Sequence, residues 1–273
     1  MTDKRESTVV LDCVLQTLQM LAPLRLAEEW DNVGLLIGDR RARVSNVMTC
    51  LTVTPDVVCE AISRDVQLLI THHPLPFKPL TRITSDSLTG QMLLDLIAGR
   101  VAVYSAHTAF DSAAGGINAT WAQQLNLRLI KPLELISAAN DDRLGKGRSG
   151  TLEEPVEIGE FARRVAALVC ADNARIVAVP GAFAKKVGIA CGSGGSFVSA
   201  AKRAGCDTLL TGEATFHQCL EARACGISMI LIGHFQSERF AMELLAKTLA
   251  GDCNGLNVFV SDRETDPLIC FRS

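Results

Sequence analysis

No Cys-x-x-Cys pair occurs among the ten cysteines of this 273-residue chain, which excludes the zinc-ribbon and thioredoxin-type spacings. Several cysteines instead stand in apolar runs such as MTCLTV and VGIAC, where a free thiol behaves as a small hydrophobe. Ten cysteines without a disulfide-like pattern fit a reducing compartment. The first residues, MTDKRESTVV, hold no signal-peptide core, and no apolar run approaches the length of a membrane span. A cytoplasmic location with no membrane partner is therefore expected. Neither sign of charge predominates, with Lys+Arg 27 against Asp+Glu 30. A pI near 6.0 leaves no electrostatic footprint for a nucleic-acid backbone, so a nucleic-acid partner is not expected. A single phosphate remains compatible with that balance. No G-x-S-x-G elbow surrounds Ser105, Ser193 or Ser196, and no nucleophilic triad is visible. The glycine clusters at Gly115-Gly116 and Gly192-Ser-Gly-Gly195 form neither a Walker A motif nor a G-x-G-x-x-G fingerprint.

What the chain does contain is a hydrophobic fraction of 48% against 21% charged residues, enough for one large or two modest globular domains. Ser7 is positioned to cap a helix from about Thr8 to Leu21, with Val10, Val14, Leu18 and Leu21 at helical spacing. Strands are predicted at Val47–Val53, Val66–Thr71, Val101–Ala106, Arg175–Pro180, Lys186–Cys191, Thr208–Thr211, Ile227–Gly233 and Asn257–Asp262. Helices fall between them, one opened by the cap Thr54-Pro55-Asp56. This alternation indicates an α/β protein with mostly parallel or mixed sheets. The polar stretch Asn140–Gly150 reads as an exposed loop.

The two halves resemble each other. Val47–Thr71 aligns without a gap on Val187–Thr211, matching Val47 to Val187, Ala61 to Ala201, Leu69 to Leu209 and Thr71 to Thr211. Each segment reads strand, turn, helix, strand, and each is followed by a helix and another strand. The first of those strands ends at His107-Thr-Ala-Phe-Asp111 and the second at His234-Phe-Gln-Ser-Glu238, so both end in His-x-x-x-carboxylate. The paired endings favour an internal duplication.

All five histidines follow predicted strands or lie in the next turn, where α/β proteins place functional groups. His72 and His73 would point to opposite faces of an ideal strand, but here the chain is leaving the strand and Pro74 keeps His73 extended. Adjacent histidines can then address the two metals of a close pair. His234 and Glu238, like His107 and Asp111, converge if a helix begins beside the histidine. Imidazole nitrogen with carboxylate oxygen suits zinc, iron or manganese. Glu213 and His217, in TGEATFH, have a contact role beside the site or in proton transfer as their functional reading.

Taken together, AEEWDNVGLLIGD (Ala27–Asp39), LLITHHPLPF (Leu68–Phe77), YSAHTAFDSAAGGIN (Tyr104–Asn118), GIACGSGGSF (Gly188–Phe197), TGEATFH (Thr211–His217) and IGHFQSE (Ile232–Glu238) resemble the Nif-three-like family. Its bacterial members are commonly called GTP cyclohydrolase I type 2 homologues. The resemblance implies five metal ligands at His72, His73, Asp111, His234 and Glu238, and a place for His107 beside the site. It also implies two divalent metal ions, held in a cleft between two similar interleaved α/β subdomains, with ring-shaped hexamers as the assembly. The expected subdomains are residues 1–127 with 235–273, and residues 128–234. The function expected is a metal-dependent hydrolase of unknown substrate, acting on a small phosphorylated or nucleotide ligand, with His107, Glu213 and His217 as candidates for moving protons. The alternative is a non-catalytic metal-binding regulatory or adaptor protein.

Overall fold

The computed structural model describes residues 8–136 and 141–270. In chain order its main strands are β1 (Gly34–Ile37), β2 (Asn46–Cys50), β3 (Leu68–Thr71), β4 (Ala102–Ser105), β5 (Arg128–Lys131), β6 (Arg148–Glu157), β7 (Arg175–Val177), β8 (Phe183–Ala190), β9 (Thr208–Thr211), β10 (Ser228–Leu231) and β11 (Asn257–Val260). The helices are α1 (Leu11–Leu21), α2 (Pro55–Ser63), α3 (Leu88–Ala98), α4 (His107–Ser112), α5 (Ile117–Gln124), α6 (Ile158–Leu168), α7 (Val198–Arg203), α8 (Phe216–Ala224) and α9 (His234–Asp252). The chain divides into two compact units, one of residues 1–110 and 241–265, the other of residues 111–240 and 266–273. They interleave along the chain, and the divisions fall inside α4 and α9 rather than at 127 and 235. The first shift has a physical source. Helix α5 belongs with the second unit because Asn118 Oδ1 accepts from Cys191 N at 2.9 Å and Trp121 Nε1 donates to Ser237 O at 2.8 Å.

The first unit carries a five-stranded sheet in the order β11-β2-β3-β4-β1, parallel except for β1 against β4. Its core gathers Met48, Cys50, Val57, Val58, Ala61, Leu69, Leu96 and Val103. Thr54 caps α2 by accepting from Val57 N at 3.3 Å, with Pro55 at the first helical position. The second unit carries six strands in the order β7-β10-β9-β8-β6-β5. Its central trio β8-β9-β10 is parallel and the outer pairings are antiparallel.

The duplication is visible in register as well as in order. Val47 lies opposite Leu68 and Cys50 opposite Thr71 in one sheet, while Val187 lies opposite Thr208 and Ala190 opposite Thr211 in the other. Matched positions do matched work: Val58 and Val198, Ala61 and Ala201, Val66 and Cys206, and Leu69 and Leu209 are all buried core residues. Burying such residues is worth roughly 25 cal/mol per Å² of apolar surface, so the pattern is held by the same force in both halves.

Two sequence expectations are corrected. Helix α1 begins at Leu11, because Val9–Val10 pair as a short strand with Arg43–Val44; the proposed cap Ser7 lies outside the described residues. The stretch read as an exposed loop, whose first residue Asn140 is also outside them, contains buried Leu144, Arg148, Ser149 and Gly150. Arg148 is 2% exposed. Its guanidinium donates to the carbonyls of Gly145 and Gly147 at 2.7 and 2.6 Å, and to that of Ala113 at 2.6 Å. Such carbonyl satisfaction is what lets a charged side chain stay inside. Composition alone reads a buried, hydrogen-bonded arginine as a solvated one, and so misses the strand β6 it begins.

Candidate metal centre

In the first unit the double histidine is fixed by backbone bonds as the chain leaves β3. His72 N donates to Cys50 O at 3.1 Å and His73 N to Leu51 O at 2.8 Å. Thr71 Oγ1 donates to Leu51 O and His73 O, and Ser105 Oγ to His72 O at 2.6 Å. The opposite-face rule for strands no longer holds there, and the two rings lie 5.0 Å apart by their centroids. His107 opens α4 with a φ of +25°, a left-handed value that costs a non-glycine residue on the order of 1–3 kcal/mol. Its ring lies 5.0 Å from that of His72 and 5.5 Å from that of His73. One ligating atom from each of His72, His73 and His107 falls within 4.8 Å of the others.

Two partners set which ring nitrogens face inward. Asp31 Oδ1 lies 2.8 Å from His107 Nδ1, and its Oδ2 accepts from Thr108 N at 3.1 Å. Burial pushes the Asp31 carboxyl up, but the hydrogen bonds from His107 and Thr108 outweigh it and hold the group below its ordinary value. An ionised carboxylate only accepts, so His107 keeps its proton on Nδ1 and presents a lone pair at Nε2. Thr52 Oγ1 lies 2.7 Å from His73 Nδ1 and fixes the plane of that ring, whichever of the two atoms donates. Thr52 is anchored in turn: Glu264 accepts from Thr52 N at 2.6 Å and from Leu51 N at 2.9 Å.

In the second unit His234 is the first residue of α9, and one turn on its Nε2 meets Glu238 Oε2 at 3.1 Å. Glu213 Oε1 lies 2.9 Å from His234 Nδ1 and accepts from Ser193 Oγ at 2.6 Å. The bond to Glu238, opposed by burial and reinforced by Glu213, raises His234 to about 9. Hydrogen bonds from Ser193 and His234 hold Glu213 below its usual value. Gly192, with φ +58°, leaves room for this pair: a Cβ there would run into Glu238 Oε1 and approach His234 Nε2 at 3.2 Å. Asp111 Oδ1 accepts from the Cys191 thiol at 3.2 Å. Burial and the nearby Asp111 and Glu238 push that thiol well up, so it stays a donor.

The expected site residues thus fall into two groups. His72, His73 and His107 cluster in the first unit, with His107 offering a further ring nitrogen beside the two expected ligands. His234, Glu238 and Glu213 gather in the second, where Asp111 is held by Cys191. His217 is exposed on α8, with its ring 5.8 Å from that of Phe216. Asp31, Thr52, Cys191 and Glu264 were not among the expected residues. Asp31 does sit in the AEEWDN stretch, but nothing in the sequence pairs an aspartate with a histidine 76 positions away. The donors suit a transition metal: imidazoles, of which His73, His107 and His234 each have Nδ1 engaged by an outer partner, with carboxylates available nearby.

Residues 9–267 match the model of the family described as Duf34/NIF3 (NGG1p interacting factor 3). Among relatives, a Clostridium perfringens protein named GTP cyclohydrolase 1 type 2 homolog is 33% identical over 228 residues, covering 84% of this chain and 86% of its own. NIF3-like protein 1 of Drosophila melanogaster is 34% identical over 271 residues, covering 96% and 90%. The crystal structure of a Bacillus cereus protein related to NIF3 shares the fold, with a TM-score of 0.88 at 24% identity over 98% of this chain and 100% of that one. With a family model spanning nearly its whole length and relatives at a third identity over most of theirs, the chain belongs to the Duf34/NIF3 family.

Proposed function

We propose that this chain is a dinuclear metal-binding protein that works as a metal-dependent hydrolase on a small phosphorylated or nucleotide ligand. The observation that carries the reading is the cluster of His72, His73 and His107, with His107 held by Asp31 and His73 by Thr52. Side chains kept this close, with the outer nitrogens of His73 and His107 engaged, are poorly explained as a satisfied core and well explained as ligands. His72, His73, Asp111, His234 and Glu238 would hold two divalent ions, of zinc, iron or manganese. Ions bound by such donors supply Lewis acidity and lower the pKa of water from roughly 15.7 toward about 7.

The chain's own residues would do the rest. His234 must give up the Nε2 proton it donates to Glu238 before that nitrogen can ligate, and Glu213 is placed to keep His234 oriented as that happens. His107, beside His72 and His73, and Glu213, bonded to His234, are candidates for moving protons, and the exposed His217 is the third. The relatives' name points to ring opening by water, a hydrolytic reaction at carbon. Free thiols at all ten cysteines support a reducing, cytoplasmic setting, and no described helix is long and apolar enough to cross a membrane. A ring-shaped homohexamer is the proposed assembly.

Metal analysis of protein purified without added metal tests the reading, on wild type and on His72→Ala/Glu238→Ala. About two equivalents per chain, lost in the double variant, is the expected result. Wild type that arrives without metal and takes up no zinc, iron or manganese would sink it.

A further inference from the structure

Two large aromatic side chains are left in the open beside the histidines of the first unit. Trp30 is 62% exposed and Phe77 is 49% exposed. Both meet the His107 ring edge-on, Trp30 at 6.0 Å and 76° and Phe77 at 5.9 Å and 71°. They also meet each other, at 6.0 Å and 42°. The exposure does not come from slack in the chain. Asn32 Nδ2 donates to Pro76 O at 2.8 Å, tying the segment that carries Trp30 to the one that carries Phe77. Asp31, next to Trp30, is locked to His107 and Thr108, and Glu28 N donates to Thr108 Oγ1 at 3.0 Å. An anchored backbone therefore holds an indole face in water, where it forgoes the burial that would otherwise stabilise it.

We infer that Trp30, braced by Phe77, is the stacking platform for a planar heteroaromatic ring of the ligand whose polar part reaches His72, His73 and His107. The inference rests on the hydrolase reading above and names the kind of group its substrate must carry. The centroid spacing decides where the ring goes. A ring sandwiched between two others needs two contact spacings of about 3.5 Å each, more than the 6.0 Å between Trp30 and Phe77. The ligand ring must instead lie on the outer face of the indole, with Phe77 setting the tilt of that face. Every base has a π-face, so the platform selects for planarity and aromatic character and leaves base identity to other groups.

Tryptophan fluorescence tests this directly, because the only other tryptophan, Trp121, is 1% exposed and cannot meet a ligand. The full-length protein is titrated with guanosine, adenosine and ribose 5-phosphate, both metal-loaded and after chelation. Both nucleosides are expected to quench emission saturably in either state, and ribose 5-phosphate to leave it unchanged. Equilibrium dialysis of Trp30→Leu should show nucleoside affinity reduced about 5- to 150-fold, the range of one base–aromatic stack. Trp30→Phe should retain most of it, with metal content and thermal midpoint unchanged in both variants. Undiminished nucleoside binding by Trp30→Leu would overturn the assignment. So would saturable quenching by ribose 5-phosphate alone, or a Trp30 already shielded from acrylamide in the ligand-free protein, which would mean another copy of the chain covers it. Quenching that survives while the protein binds no metal would keep the platform and remove the hydrolase reading; normal metal content without quenching would do the reverse.

Discussion

Replacing Thr52 with valine keeps the branched shape and removes a single oxygen, the one 2.7 Å from His73 Nδ1. If His73 is a metal ligand, that oxygen fixes its ring plane and keeps Nδ1 engaged, leaving Nε2 for the ion. Loss of such an outer partner typically weakens metal binding about 10- to 100-fold. At about 1.4 kcal/mol per decade this is roughly 1.4–2.7 kcal/mol. The metal-free fold should lose less, about 1 kcal/mol for one half-buried hydrogen bond, which shifts the thermal midpoint by only a few degrees in a chain of this size. Competition against a chromophoric chelator gives the affinity, and a melt after chelation gives the stability. Glu264→Ala should follow Thr52→Val in direction, since Glu264 holds Thr52 N at 2.6 Å, and should add little once Thr52 is valine. The decisive control is His73→Ala, in which Thr52→Val should have no further effect on metal affinity. A loss below threefold for Thr52→Val, or an equal loss with and without His73, would refute the chain from Glu264 through Thr52 to His73.

Three further outcomes follow from the same geometry. Gly192→Ala places a Cβ against Glu238 Oε1 at a left-handed φ of +58°, so it should remove the metal dependent on His234 and Glu238 while leaving the histidines of the first unit able to bind; metal analysis should fall toward one equivalent. Glu60 is 6% exposed and accepts from Ser261 Oγ at 2.6 Å and Asp262 N at 3.0 Å, and also from Arg64; burial raises its carboxyl, but these bonds outweigh that and leave it below its ordinary 4.5. A depressed carboxyl stabilises the fold above the unfolded value and ceases to as pH falls through the folded one, so Glu60→Gln should cost about 1–3 kcal/mol at pH 7 and the gap to wild type should close below pH 4.5 in denaturant titrations. Arg148, lowered to about 10 by burial, binds carbonyls of Ala113, Gly145 and Gly147, so Arg148→Met should shift the denaturant midpoint by the equivalent of about 3 kcal/mol or more, because the orphaned carbonyls cannot reach water.

How much of this was readable beforehand depends on whether the determining contact is local. The central strands and their helices were legible because apolar runs and caps such as Thr54-Pro55 act within a few residues, and the repeat made each half a check on the other. Strands β1, β5 and β6 were not. They add antiparallel at or toward the sheet edges, where RSGTLEEPVE can be polar along much of its length and where Arg148 is buried by carbonyls contributed from elsewhere. Of the two His-x-x-x-carboxylate spacings, that of His234 and Glu238 was likewise legible, since four residues make one helical turn, whereas His107 takes Asp31 as its partner and Asp111 accepts from Cys191. The outer partners were not legible. Asp31 reaches His107 across 76 positions and Glu264 reaches Thr52 across 212, distances over which no periodicity carries information. Nothing in the sequence distinguishes Trp30 from Trp121, and it is exposure that separates them.

The duplicated scaffold explains why the two halves can differ so much in chemistry. After β3 the chain places His72 and His73; at the matched positions after β9 it places Gly212 and Glu213. The next parallel strand, β4 or β10, then delivers a histidine to the first position of a helix in both cases. That histidine needs a carboxylate on Nδ1, and each half finds one differently: Asp31, from a segment before the repeat, at 2.8 Å from His107, and Glu213, from the repeat itself, at 2.9 Å from His234. Because Glu213 stands where His73 does, the second half can supply its own partner but forfeits the double histidine. Its candidate donors become His234 and the Glu238 carboxylate, whereas the first half gathers three imidazoles. Imidazoles leave a cation's charge uncompensated and a carboxylate offsets part of it, so the two halves offer donor sets of different charge. Exchanging Glu213 for histidine should therefore not convert the second half into the first: His234 would lose the carboxylate on Nδ1 and fall only part of the way from about 9, since the larger contribution of Glu238 remains, and the pH at which it competes with a metal for its proton would fall with it.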